Sequence, residues 1–151
     1  MEFKDVIARL RREHGFSQDD LAERLFVTRQ AVSRWENGDT TPNVDTLRQL
    51  SALFDVSINT LLGSPREPLC QCCGMPLTDA EMARDPDHTV NEDYCRYCRV
   101  DGEITYRTLE EMVDFLVNGH FIPGMSDEAA RAFYREQLPK LQYWREQADN
   151  A

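Results

Sequence analysis

Two Cys-x-x-Cys pairs, Cys70/Cys73 and Cys95/Cys98, stand 21 residues apart in a chain of 151. Each pair lets two thiolates reach one ion across a short turn, and Gly74 allows the backbone to close tightly behind the second ligand. Four sulfurs from two such turns complete a tetrahedral site, a geometry and donor set that favour Zn²⁺. No secretory leader pattern opens the chain, and no apolar run approaches the roughly 18 residues that span a bilayer. A cytoplasmic protein without membrane association is therefore expected, and its cysteines are not read as a disulfide framework. The expectation is one structural zinc on Cys70, Cys73, Cys95 and Cys98. Four protein ligands leave no open position for water, which argues against catalysis by this metal.

Other uses of the cysteines weigh less. A thioredoxin-like pair would need a surrounding βαβ pattern, which is absent from the sequence. An iron–sulfur cluster could use the same four thiolates. His88 could replace one cysteine, but it lies outside both turns and reads as a loop residue. Cys72 is left over: it is either a bystander between two ligands or a redox trigger whose oxidation would eject the metal.

Upstream, the apolar spacing changes to a helical period. Phe3, Val6, Ile7 and Leu10 mark a first helix over residues 2–14, stopped at Gly15. Ser17 caps a second helix with an acidic first turn, and Leu21, Ala22 and Leu25 form its inner face. After a turn at Phe26-Val27, Thr28 caps a third helix that Asn37-Gly38 ends. Pro42-Asn43 leads into a fourth helix with Val44, Leu47, Leu50 and Phe54 inward, and Ser57 caps a short fifth ending at Gly63. The short turn between the second and third helices is a helix-turn-helix pattern. In the third helix Ala31, Val32 and Trp35 face the core, while Arg29, Gln30, Ser33, Arg34 and Asn37 share the opposite, acid-free face. Forked guanidiniums and an amide are the groups that read guanine and adenine edges in the major groove. Gln18 and Asn37 sit near helix ends, where phosphates are gripped. The plainer alternative is a helical bundle whose polar face is merely solvated or docks a protein.

The segments Phe16-Ser17-Gln18-Asp19-Asp20-Leu21-Ala22 and Val27 to Gly38 closely resemble the Cro/phage-repressor (XRE) helix-turn-helix family, over about residues 3–62. The resemblance implies a five-helix domain that binds double-stranded operator DNA, usually as a homodimer. Gln18, Thr28, Arg29, Gln30, Ser33, Arg34 and Asn37 fall where that family contacts DNA.

Charge supports this division of labour. The chain carries 17 Lys+Arg against 27 Asp+Glu, net -10. Residues 1–65 hold 8 basic and 10 acidic side chains, which leaves 9 and 17 for residues 66–151, so the nets are -2 and -8. Phosphate contacts supply most non-specific affinity. A DNA surface must then be a local patch in the first part, and discrimination must rest on a few base contacts.

Gly63 to Pro68 has linker composition, with two prolines stiffening it. Beyond it, Cys70 to Leu77, Tyr94-Cys95-Arg96-Tyr97-Cys98, Asp101-Gly102, Thr108 to Met112, and Leu138-Pro139 with Leu141 and Trp144 resemble a bacterial zinc-ribbon family over about residues 69–145. Glu103-Ile104 departs from it, where an aromatic would follow the glycine. The polar gap from Thr78 to Asp93 reads as a hairpin insertion. Thr108 opens a capping box, Ser126 caps the next helix with Ala130, Phe133 and Tyr134, and Pro139 opens a last one with Leu141 and Trp144. Most of these apolar residues are expected to cover the ribbon.

The reading is thus a mainly α chain with a small β zinc ribbon: a five-helix XRE-type domain over 1–63, a linker over 64–68, and a zinc-ribbon domain with C-terminal helices over 69–151. A transcription regulator is expected, with a possible protein or small-molecule effector at the C-terminal domain. The alternatives are an antitoxin or adaptor, or a zinc or redox sensor. An enzyme is not expected: His14, His88 and His120 are scattered, and neither a nucleophile–base pair nor a phosphate-binding glycine loop occurs.

Overall fold

The computed structural model describes residues 1–64 and 68–151. The linker expected over 64–68 therefore falls largely on residues outside the described ones. Two compact units form, one of Met1–Arg66 with Asp85–Val90, the other of Glu67–Arg84 with Asn91–Ala151.

The first unit is helical. Helices α1 (Phe3–Glu13), α2 (Gln18–Leu25), α3 (Arg29–Asn37), α4 (Val44–Phe54) and α5 (Ile58–Leu61) follow in order. Their starts are set by side chains that satisfy orphan amide donors. Ser17, Thr28, Asn43 and Ser57 each accept from the backbone N–H three residues on. Gly38 closes α3 in the left-handed conformation, φ 80°, where its amide returns to Arg34 and Trp35. Phe3, Val6, Ile7, Leu10, Leu21, Ala22, Leu25, Val32, Trp35, Leu50, Phe54 and Leu61 make one core, and fully burying such side chains is worth roughly 1.5–3 kcal/mol each. Val44 departs from the expected pattern. It is the first residue of α4 and is 61% exposed, while Thr46 and Leu50 are buried. At about 100° per residue Val44 falls roughly 120° round the helix from Leu50, off the stripe that faces the core.

The second unit holds two small antiparallel pairs and three helices. Strands β1 (Met82–Arg84) and β2 (Val90–Cys95) pair, as the hairpin reading of the polar gap anticipated. Strands β3 (Arg99–Val100) and β4 (Glu103–Ile104) pair in the register Arg99 with Ile104. Helices α6 (Leu109–Asn118), α7 (Asp127–Gln137) and α8 (Gln142–Asp149) follow. Thr108 and Glu111 complete the capping box of α6, and Ser126 caps α7. Pro139 does not open α8. It lies in a 3-10 turn, Leu138–Lys140, and Leu141 takes an extended conformation before α8 begins. Proline fits that turn because its fixed φ suits it and no donor is lost from a helix interior. Met112, Val113, Leu116, Val117, Ala130, Tyr134, Leu138 and Trp144 are buried, whereas Phe133 is 41% exposed.

The start of α8 is tied to the first cysteine turn. Trp144 Nε1 donates to the Cys72 carbonyl at 2.7 Å, the Gln142 amide donates to Gln71 Oε1 at 3.1 Å, and the Tyr143 amide to the Gln71 carbonyl at 3.3 Å. A methyl group at Gly74, φ 79°, would lie 3.5 Å from the Leu141 side chain. The tail thus covers the ribbon with specific hydrogen bonds as well as apolar area. Trp144→Phe keeps an aromatic ring but removes the indole N–H and leaves the Cys72 carbonyl without its donor. It should lower stability by about 1–3 kcal/mol, read as an earlier chemical unfolding midpoint of the zinc-loaded protein.

Candidate nucleic-acid interface and metal centre

The α3 face is built by what turns away from it. Val32 and Trp35 are buried, and Ala31 packs partly against the core. Thr28, Arg29, Gln30, Arg34 and Asn37 are exposed, and Ser33 is half-buried. Thr28 Oγ1 accepts from the Ala31 amide at 3.1 Å and so also fixes the direction in which α3 starts. Arg29 lies 3.8 Å from Asp19, with both side chains about two-thirds exposed. In water such a pair is worth at most about 1 kcal/mol, so Arg29 can exchange Asp19 for another partner at little cost.

The acid within α3 is withdrawn from that surface. Glu36 has a side chain only 9% exposed and accepts both Nε and Nη2 of Arg11, the latter at 3.1 Å. Arg11 also donates to the Phe16 carbonyl at 2.7 Å. Gln18, expected at a phosphate, donates its amide to Glu36 Oε2 at 3.0 Å, so its orientation is set by this network. Burial alone would raise the Glu36 carboxyl, but hydrogen bonds from Arg11 and Gln18 and the guanidinium charge outweigh it and hold the group below its ordinary range. Sequence reasoning missed Arg11 and Glu36. They are 25 residues apart, and each alone reads as an ordinary helix-surface charge.

In the second unit the sulfurs of Cys70, Cys73, Cys95 and Cys98 all lie within 4.8 Å of one another. Zinc–sulfur bonds of ~2.3 Å in a tetrahedron place ligand sulfurs about 3.8 Å apart. Cys73 Sγ and Cys95 Sγ are 3.8 Å apart. The Cys95 amide donates to Cys70 Sγ at 3.3 Å, an interaction that favours thiolate. Hydrogen bonding with Cys73 drives the Cys70 thiol far down, and the same bond drives Cys73 up. Four crowded thiols cannot all ionise together without a cation, so donor chemistry and spacing both fit a metal ion. The expected ligand set is therefore brought together, and His88 is not in the cluster. Cys72 is fully buried.

The family model described as "Putative zinc ribbon domain" matches residues 69–145, just over half the chain. The chain belongs to this zinc-ribbon family. The ribbon is preceded by an XRE-type domain, since a second family model, "Helix-turn-helix", matches residues 7–61. Curated relatives agree over that part. The HTH-type transcriptional activator BcrR of Enterococcus faecalis is 42% identical over 62 residues, 41% of this chain and 30% of that protein. The HTH-type transcriptional regulator SinR of Bacillus subtilis is 39% identical over 62 residues, 40% of this chain and 56% of SinR. The chain thus spans about a third to a half of the length of these two relatives. A prophage-derived uncharacterized HTH-type transcriptional regulator, YonR of Bacillus subtilis, is 26% identical over 79% of this chain and 96% of its own length. By name these three relatives are HTH-type transcriptional activators or regulators. Among the described residues no helix is long and apolar enough to cross a membrane.

Proposed function

We propose that this zinc-ribbon protein is a sequence-specific transcription regulator that binds double-stranded operator DNA as a homodimer. The observation that carries the reading is the α3 surface. It exposes Arg29, Gln30 and Arg34, while the side chain of the helix's own acid, Glu36, is only 9% exposed and is paired with Arg11. Arg29, Gln30, Ser33 and Arg34 read base edges, and Gln18, Thr28 and Asn37 hold phosphates. The division of work follows the sequence: residues 1–63 bind DNA, 64–68 link, and 69–151 form the zinc domain. One structural zinc on Cys70, Cys73, Cys95 and Cys98 holds that domain folded, in the cytoplasm. The domain, with its net charge of -8, stays off the DNA and receives an effector.

Selection of zinc-loaded protein on random duplex DNA at moderate salt tests this reading. An enriched inverted repeat with half-sites one helical turn apart, ~34 Å, is the expected outcome. Protein shown to be folded that enriches nothing would sink it. Arg29→Ala and Arg34→Ala should each cost on the order of 1–3 kcal/mol and relax the preference at one base pair. Equal loss on selected and random duplexes would show instead that these arginines touch only phosphate.

The strongly acidic second unit favours one other reading, an adaptor or antitoxin whose C-terminal domain docks a basic protein. Copurification of a basic partner that survives nuclease treatment would support it. A redox-sensor role through Cys72 has less to support it, because that thiol is fully buried.

A further inference from the structure

Among the described residues Phe26 is the most exposed large hydrophobic side chain, at 93%. Its backbone is also left-handed, φ 56° and ψ 38°. Both features are unfavourable for a phenylalanine: a ring is left in water, and a bulky L-residue occupies a conformation that suits glycine or asparagine. The cap itself does not need the ring. Phe26 closes α2 through its backbone amide, which returns to Ala22 and Glu23. The core does not need it either, because the turn is anchored by Val27, which packs against the core cluster.

Position tells what the ring meets. Phe26 ends α2, and Thr28 caps α3 two residues later. At most about 7 Å of backbone can separate their Cα atoms. Phe26 is therefore a near neighbour along the chain of the N-terminal end of α3, where Thr28, Arg29 and Gln30 stand, and its ring is free in solvent. An apolar group at that end of a recognition helix meets the one apolar feature of the major groove, the C5-methyl of thymine. Strained and exposed positions of this kind are characteristic of sites where the strain serves a contact.

We propose that Phe26 is a specificity-determining residue that packs on a thymine methyl in each half-site. The proposal rests on the α3 surface being the DNA interface. The test uses the full zinc-loaded chain and the duplex that wild-type protein enriches from random DNA, together with copies carrying uracil in place of single thymines. Phe26→Gly removes the ring and relieves the backbone, so it should melt at the same temperature or higher. It should bind the selected duplex roughly tenfold more weakly, the scale of losing one buried apolar contact. It should also lose the response to uracil at the one thymine per half-site where the wild type responds, and Phe26→Leu should keep part of both. Unchanged affinity and an unchanged uracil profile in Phe26→Gly would overturn the proposal alone. Weaker binding with the uracil response intact would overturn it too, and would place the ring in a contact between protein copies. A wild-type protein that enriches no sequence would overturn the α3 reading and this proposal together.

Discussion

Chelation of the metal is expected to unfold residues 69–145 and leave the five N-terminal helices folded. Four thiolates held around one Zn²⁺ supply roughly 10–16 kcal/mol in small zinc domains, comparable with the whole stability of an ordinary domain. The ribbon part of the second unit has little else to set against that loss. Its strands are two to six residues long, and Cys70, Cys72, Cys95 and Cys98 are themselves among its most buried side chains. Without a cation, the crowded thiols must take up protons, and the turns that they close lose their reason to close. The first unit has twelve buried apolar residues in its core and no cysteine. Amide exchange on the full chain, with and without chelator, reads both units at once. Loss of protection confined to the second unit is the expected pattern, and Cys98→Ser should reproduce it in zinc-containing buffer. Full protection of the ribbon after verified metal removal would show that packing of α6, α7 and α8 suffices.

Glu36→Gln is expected to be the most damaging conservative change in the first unit. It leaves the Arg11 guanidinium, 14% exposed, without its charged partner and loosens Gln18 as well. Breaking a fully buried pair from one side costs about 3–5 kcal/mol. This pair is part-buried and the glutamine can still accept one hydrogen bond, so the cost falls at or below the lower end, ~3 kcal/mol. For a unit of this size, a loss of ~3 kcal/mol lowers the melting temperature by more than about 10 °C. The pH dependence follows from the depressed Glu36 carboxyl. A carboxyl held below its unfolded value contributes stability that is fully present above the ordinary glutamate range, about 4.3. That contribution is lost as pH falls through the lower folded value. The gap in melting temperature between wild type and Glu36→Gln should therefore be constant from pH 7 to about 5 and shrink below about 4. A gap that persists unchanged at pH 3 would mean that the glutamine disrupts packing and not charge pairing.

Much of the fold was legible because its signals are local. Ser17, Thr28, Asn43, Ser57, Thr108 and Ser126 each satisfy a donor three residues away, so helix starts could be read from short windows. The two Cys-x-x-Cys turns are local as well, and their four cysteines at the right spacing define the metal cluster without further information. Errors arose where local pattern and burial part company. Val44 lies on an apolar period yet begins its helix in solvent, and Pro139 has the position of a helix opener yet belongs to a 3-10 turn.

The chain's sequence by itself determined the two kinds of unit, their order, the helix boundaries to within a residue or two except at the start of α8, and the four sulfurs that gather. All of these depend on groups separated by a few residues or on a chemistry that few arrangements can satisfy. Only the tertiary structure decided the Arg11–Glu36–Gln18 network, the hydrogen bond from Trp144 to the Cys72 carbonyl, and the exposure of Phe26. Arg11 meets Glu36 across 25 residues and Trp144 meets Cys72 across 72. A charge or an indole carries no mark in the sequence of the partner it will find at that distance. Packing alone selects the partner, because a buried polar group must be satisfied by whatever the fold brings within reach.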